Sequence, residues 1–158
     1  MARGPNVVVG VHGRPEAVEQ AVTPDGWFRS GELGYLDSAG YLFITDRKKD
    51  VIISGGENVS SVEVEDRLYQ HPAVADAAVI GVPHDRWGET VKALVVLRED
   101  ADADIGEAQL IAFCREHLAH YKCPTTVEIR EELPRTATGK LQKYKLRKPY
   151  WEGRRGVA

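Results

Sequence analysis

Cysteine is scarce in this chain of 158 residues: only Cys114 and Cys123 occur, and they lack CxxC spacing. A disulfide framework and the common sulfur-rich metal sites are thereby excluded, and a reducing cytoplasm is the expected setting. Long apolar runs are missing as well, none approaching the ~20 residues that cross a bilayer. Neither sign of charge dominates, since 21 basic and 24 acidic residues leave a formal net charge of −3. No global field therefore recruits nucleic acid or an anionic membrane, and any electrostatic function must be local. Met1-Ala2-Arg3-Gly4-Pro5 has neither the charged nor the apolar block of a signal peptide, which makes a soluble protein the expectation. No internal repeat or low-complexity tract is visible. What is there is an ordinary globular composition, 42% hydrophobic and 28% charged, long enough for one core or for a small core with an annex.

Along the chain, Val7-Val8-Val9 predicts a strand, and the segment from Pro15 to Ala21, with proline at its start, predicts a brief helix. Thr23-Pro24-Asp25-Gly26 reads as a turn. Leu33 to Leu36 and Tyr41 to Thr45 flank the polar Asp37-Ser38-Ala39-Gly40, a pattern for a β-hairpin. The charged run Asp46-Arg47-Lys48-Lys49-Asp50 then interrupts the strand pattern before Val51-Ile52-Ile53, and marks a boundary between two packed units. Ser60 and Glu63 have capping-box spacing and begin a helix expected over 61–70, with Val64 and Leu68 on its apolar face.

Val74 to Val82 and Val91 to Leu97 read as neighbouring strands separated by a polar loop with Pro83, Trp87 and Gly88. From Glu107, Leu110, Ile111, Cys114, Leu118 and Tyr121 fall on one helical face, and Lys122-Cys123-Pro124 stops it. Val127 to Ile129 offers a last short strand. The fold class is α+β: a small mixed sheet with packed helices, preceded by a short β-rich piece.

Leu133-Pro134-Arg135-Thr136-Ala137-Thr138-Gly139-Lys140 collects hydroxyls, a glycine and a lysine in a loop before a further helix. Such a loop suits an anion, but its spacing is not that of a Walker motif, and alone it reads rather as a solvated surface loop. Its company adds weight. Asp25-Gly26-Trp27-Phe28-Arg29-Ser30-Gly31-Glu32-Leu33, Asp46-Arg47-Lys48-Lys49-Asp50, Ser54-Gly55-Gly56-Glu57-Asn58-Val59, Asp85-Arg86-Trp87-Gly88-Glu89 and Pro134 to Lys140 follow one another in order. Together they resemble successive motifs of the C-terminal part of the AMP-forming acyl-CoA synthetases, over nearly the whole chain, with fatty-acyl and medium-chain ligases as the nearest in pattern.

The resemblance implies a chain divided into 1–46, the end of a β-rich N-terminal region, a hinge at 47–49, and a C-terminal lid domain at 50–158. It implies a reaction in which a carboxylate, expected to be a fatty acid, and ATP give an acyl-adenylate and pyrophosphate, after which the lid reorients and coenzyme A forms the thioester with release of AMP. Lys140 matches the catalytic lysine that bridges carboxylate and nucleotide. Arg47 matches a ribose-contacting arginine, and Glu32 stands where the pattern has an aspartate, its longer arm moving the acceptors by about one C–C bond. Lys49 falls on the hinge. Gly55, Gly56, Glu57 and Asn58 match the loop lining the pantetheine channel, where glycine lets a thin thiol arm pass close to backbone, and read alone the glycines make a tight turn between a strand and a helix. Trp87 matches an aromatic face for the adenine of coenzyme A, and read alone it serves equally as a packing residue.

The matching pattern begins near Arg3, so the phosphate loop, the adenine segment, the acyl pocket and the expected magnesium site belong to an N-terminal domain not present in this sequence. The chain alone is therefore expected to be inactive, and no metal site is expected within it. An interaction module that docks on a separate synthetase body is the alternative. The basic tail, Lys140, Lys143, Lys145, Arg147, Lys148, Arg154 and Arg155, reads as a solvated helix end rather than a nucleic-acid surface.

Overall fold

The computed structural model describes residues 1–5, 7, 15–102 and 104–153. The chain divides into two compact units, Met1–Lys49 and Asp50–Ala158. In the first, helix α1 (Pro15–Ala21) precedes strands β1 (Glu32–Leu36) and β2 (Leu42–Arg47). The hairpin between these strands is built by Asp37, whose Oδ1 accepts from the N–H groups of Ala39 and Tyr41, both at 2.9 Å, with Gly40 at φ +85°. Side-chain capture of local N–H groups, and a residue free to take positive φ, are what a tight polar turn requires. The charged run does not end the strand as expected, because β2 continues through Asp46 and Arg47, paired with Leu33 and Glu32. Most of this hairpin's apolar surface is open: Tyr35, Leu36, Tyr41, Leu42, Phe43 and Ile44 are all exposed, and Asp46 alone is buried among the described residues of the unit. Of the expected first strand, Val8 and Val9 lie outside the described residues, and Val7 sits in a bend, its N–H donating to Gly4 O at 3.1 Å.

The second unit is organised on a long hairpin, β5 (Val74–His84) with β6 (Gly88–Leu97), antiparallel from the Val74–Leu97 pair to the His84–Gly88 pair. Strand β3 (Ile52–Ser54) meets the Gly88 end of β6, and β4 (Glu57–Val59) pairs antiparallel with β3. Farther along β6 the parallel strand β7 (Thr126–Ile129) pairs with Lys92 to Val95, so the sheet is mixed as expected. Both faces of the hairpin are buried. Val79, Val91 and Val95 pack with Val64 and Leu68 of α2 (Ser61–Tyr69) and with Leu110 and Cys114 of α3 (Glu107–Arg115), while Ala78, Ile80 and Leu94 pack with Leu146 of α4 (Lys143–Trp151). Two-sided burial explains why β5 and β6 read as nearly continuous apolar runs rather than alternating ones.

Three expectations change. Helix α2 ends at Tyr69, one residue short, with the Ser60 hydroxyl accepting from Glu63 N–H at 3.4 Å as the cap. Helix α3 ends at Arg115, so Tyr121 lies on a separate 3₁₀ turn, His120–Lys122, and is exposed rather than on the helix face. The Gly55-Gly56 pair turns between two strands, β3 and β4, instead of between a strand and a helix, because Gly55 (φ +60°) and Gly56 (φ +91°) take the positive φ values that close a two-residue hairpin.

β5 is an edge strand, and side chains cover its edge. Tyr69 OH donates to Ala77 O at 3.3 Å, Glu65 Oε1 accepts from Val79 N–H at 2.6 Å, and Trp151 Nε1 donates to Gly81 O at 3.1 Å. Ala77, Val79 and Gly81 thus turn backbone groups away from β6, and Pro83, two residues further, follows the same alternation. Its missing N–H falls on the open side, which is why proline is tolerated within this strand rather than in the loop after it.

Candidate functional site

The Gly88 end of the β5–β6 hairpin carries a cleft of about 290 Å³. Ser54, Gly55 and Glu57 form one side of it, Trp87 and Thr90 another, and the segment from His120 to Thr125 the third. Gly55 N–H donates to Trp87 O at 3.0 Å, which fixes the glycine turn to the tip of the hairpin. The Trp87 ring stacks on His84 at 4.4 Å between centroids and keeps 41% of its surface exposed. An indole anchored on one face and open on the other is suited to stacking against a flat ring. The floor is tied by the Thr90 and Thr125 hydroxyls, 2.9 Å apart, and by Thr125 Oγ1 donating to Val91 O at 3.1 Å. Cys123 also lines the cleft, but burial pushes its thiol up, and its Sγ points at Ala119 O, 3.5 Å away. Cys114 is pushed up to about 11 by burial. Neither is poised as a thiolate nucleophile.

Beside β3 lies Glu89, 4% exposed. Ile53 N–H donates to its carboxylate, while Oε2 has no hydrogen-bond partner among the described residues. Burial raises its pKa above the ordinary carboxylate range, against the opposing charge of Arg147.

The loop carrying Lys140 is attached toward the other end of β5. Thr136 N–H donates to Lys140 O at 2.8 Å, Gly139 N–H to Thr136 O at 2.9 Å, and Lys140 N–H to Thr136 Oγ1 at 3.1 Å, with Gly139 at φ +81°. The Lys140 side chain is exposed and has no hydrogen-bond or ion-pair partner among the described residues. Arg135 joins this loop to Asp76, its Nη2 lying 2.8 and 2.7 Å from the two carboxylate oxygens. On the other flank, Lys143 Nζ reaches Glu65 Oε1 at 2.7 Å and Ser61 Oγ at 2.8 Å in a largely buried ion pair. From Asp76 to His84 the strand runs about 26 Å.

In the first unit, Glu32 and Arg47 face one another across β1 and β2, Arg47 Nε standing 3.2 Å from Glu32 Oε1. Lys49 is the last residue of that unit. The structure thus brings Gly55, Glu57 and Trp87 to one cleft, with Gly56 in the same turn, and brings Glu32 to Arg47. Lys140 stands apart from the cleft, within the same unit. Asp76 and Glu65 are the partners that the sequence reading omitted. A lone acid inside the apolar run Val74 to Val82 was the available signal for Asp76, whereas Glu65 looks like any polar position of an amphipathic helix. Among the described residues no group of three or more His, Cys, Asp or Glu is placed to hold a metal ion, and no helix is long and apolar enough to cross a membrane.

Comparison with known proteins gives a consistent picture. Residues 63–140 match the model of the AMP-binding enzyme C-terminal domain. A 2-methylpropanoate–CoA ligase of Humulus lupulus is 48% identical over 145 residues, covering 92% of this chain and 26% of that protein. A long-chain-fatty-acid–CoA ligase of Bacillus subtilis (strain 168) is 48% identical over 146 residues, again covering 92% of this chain and 26% of that protein. Among solved structures, ATP-bound MatB from Rhodopseudomonas palustris superposes with a TM-score of 0.87 at 41% identity, over 94% of this chain and 29% of that one. The chain spans about a quarter of the length of these curated relatives.

Proposed function

We propose that this chain, whose residues 63–140 match the AMP-binding enzyme C-terminal domain, is the lid portion of an ATP-dependent, AMP-forming acid–thiol ligase. In this reading a carboxylate and ATP form an acyl-adenylate and pyrophosphate, and coenzyme A then takes the acyl group and releases AMP. The observation that carries the reading is the placement, in one compact unit, of an exposed lysine without a side-chain partner among the described residues and, toward the other end of β5, a cleft roofed by a glycine turn and an open indole.

Lys140 supplies a fixed positive charge that stabilises the negative charge developing as carboxylate oxygen attacks the α-phosphorus. The Gly55-Gly56 turn leaves room for a thin thiol arm against backbone, and Trp87 offers its free face to adenine. Arg47 and Glu32 serve the nucleotide ribose, Lys49 is the hinge, and residues 1–46 belong with the N-terminal body. The open apolar hairpin of that unit fits such a partner surface, since contiguous exposed apolar area marks interaction sites. Magnesium, the triphosphate and the acyl chain are held by that body, and the chain alone is inactive. We assign a fatty acid as substrate, in the cytoplasm. The relatives act on acids as different as 2-methylpropanoate and long-chain fatty acids, so the lid leaves acyl choice to the rest of the enzyme.

The test is to replace the corresponding C-terminal part of the Rhodopseudomonas palustris relative with this chain and measure AMP released with coenzyme A present. Release that is abolished by Lys140→Ala supports the reading. A folded, inert graft overturns it and leaves the interaction module as the alternative. Calorimetric titration of the isolated chain with coenzyme A, expected to bind weakly and to lose binding on Trp87→Ala, tests the cleft separately.

A further inference from the structure

We propose that Arg135 is a positioning residue for Lys140, holding the lysine's loop against β5 through one guanidinium that bridges Gly139 and Asp76. This rests on the reading of Lys140 as the adenylation lysine. A lysine side chain has many accessible rotamers, so its head can be aimed only if the backbone beneath it is fixed. The bonds among Thr136, Gly139 and Lys140 give the loop its shape without attaching it to anything. Arg135 does both. Its Nη1 donates to Gly139 O at 2.7 Å, the carbonyl immediately before Lys140, while its Nη2 engages both oxygens of Asp76.

Asp76 is itself held. Tyr69 OH donates to its Oδ1 at 2.6 Å and Ala77 N–H donates to the same oxygen at 2.9 Å, at the irregularity between Val74 and Asp76 where β5 begins. The strut therefore runs from α2 and β5, through Asp76 and the guanidinium, to the peptide that bears Lys140. A planar guanidinium sets Nη1 and Nη2 apart, so that one reaches the carbonyl while the other holds the carboxylate, whereas an ammonium offers all its donors from a single nitrogen. The Lys143–Glu65 pair anchors the loop's other flank, so loss of Arg135 frees the lysine without detaching α4.

Amide hydrogen exchange on the full chain reads this directly. Arg135→Lys is expected to speed exchange at Gly139 and Lys140 by about tenfold, with Val79 and Leu94 unchanged, since opening is local and not global. Unchanged loop exchange, or a uniform rise across the core, overturns the proposal. In the grafted ligase, Arg135→Lys is expected to slow acyl-adenylate formation by about tenfold while leaving thioester formation from supplied acyl-adenylate intact. A merely structural arginine would depress both half-reactions, and that result also overturns it. If the unmutated graft is inert, the assigned activity fails, and exchange at Gly139 and Lys140 still decides the strut.

Discussion

Glu89 lies against Gly81: a Cβ built on that glycine would run into Glu89 Oε2, with Ile52 Cγ2 only 3.2 Å away. The carboxylate has little room to retreat, because Ile53 N–H holds it and the site is buried. Gly81→Ala is therefore expected to cost about 2 kcal/mol by overpacking. Urea denaturation should show a lower midpoint with an unchanged slope. A midpoint equal to wild type would mean that Glu89 moves freely.

Two acids should respond to pH in opposite senses. Glu89 ionises above its ordinary range when folded, so across that window the folded state holds an extra proton and stability falls as pH rises. Glu89→Gln is expected to gain stability at neutral pH, and the gain should vanish below the ordinary carboxylate range. For Asp76, burial acts to raise the pKa but is outweighed by bonds from Arg135 and Tyr69, which hold it low. Its contribution is complete above the ordinary range and is lost as pH falls through the depressed value. Asp76→Asn is expected to lose stability at neutral pH, with the difference closing in acid. Thermal melts of both variants from neutral to acidic pH check the two slopes.

Gly55 has space but not conformational licence. An added Cβ would meet Trp87 Cδ1 at 3.7 Å, ordinary contact, yet φ is +60°. Gly55→Ala is expected to cost about 1 kcal/mol through backbone strain alone. Trp87 fluorescence should shift with it, as the turn is bonded to Trp87 O.

Trp151→Phe removes the indole donor to Gly81 O while keeping an apolar ring. About 1 kcal/mol of stability is the expected loss, measured by denaturation, with faster amide exchange confined to the outer edge of β5.

Much of the fold was legible wherever a local signal exists. Pro15 opened a helix, Asp37 and Gly40 marked the turn of a hairpin, and Ser60 capped α2. Strand β4 was not, because Glu57-Asn58-Val59 is too short and polar to show a period, and its pairing with β3 comes from the glycine turn. Nor could the length of β2 be read, since Asp46 and Arg47 lie in a strand against a favourable local pattern and are held there by partners on β1. The cleft residues could be grouped by resemblance. The strut could not, because Asp76 and Arg135 lie far apart in sequence and meet only once α2 and β5 have set the position of the carboxylate.

The β5–β6 hairpin has the character of a rigid beam, packed on both faces and closed along its outer edge by Tyr69, Glu65 and Trp151. Asp76, where the lysine loop is attached, and His84, beside the cleft, stand about 26 Å apart along it. One reaction centre is only a few ångströms wide, and a beam that does not bend cannot bring both ends to it at once. If the two proposed half-reactions share a centre, the beam must be turned end for end between them, and every turnover would then contain a mechanical step whose pace no group at the reaction centre can set.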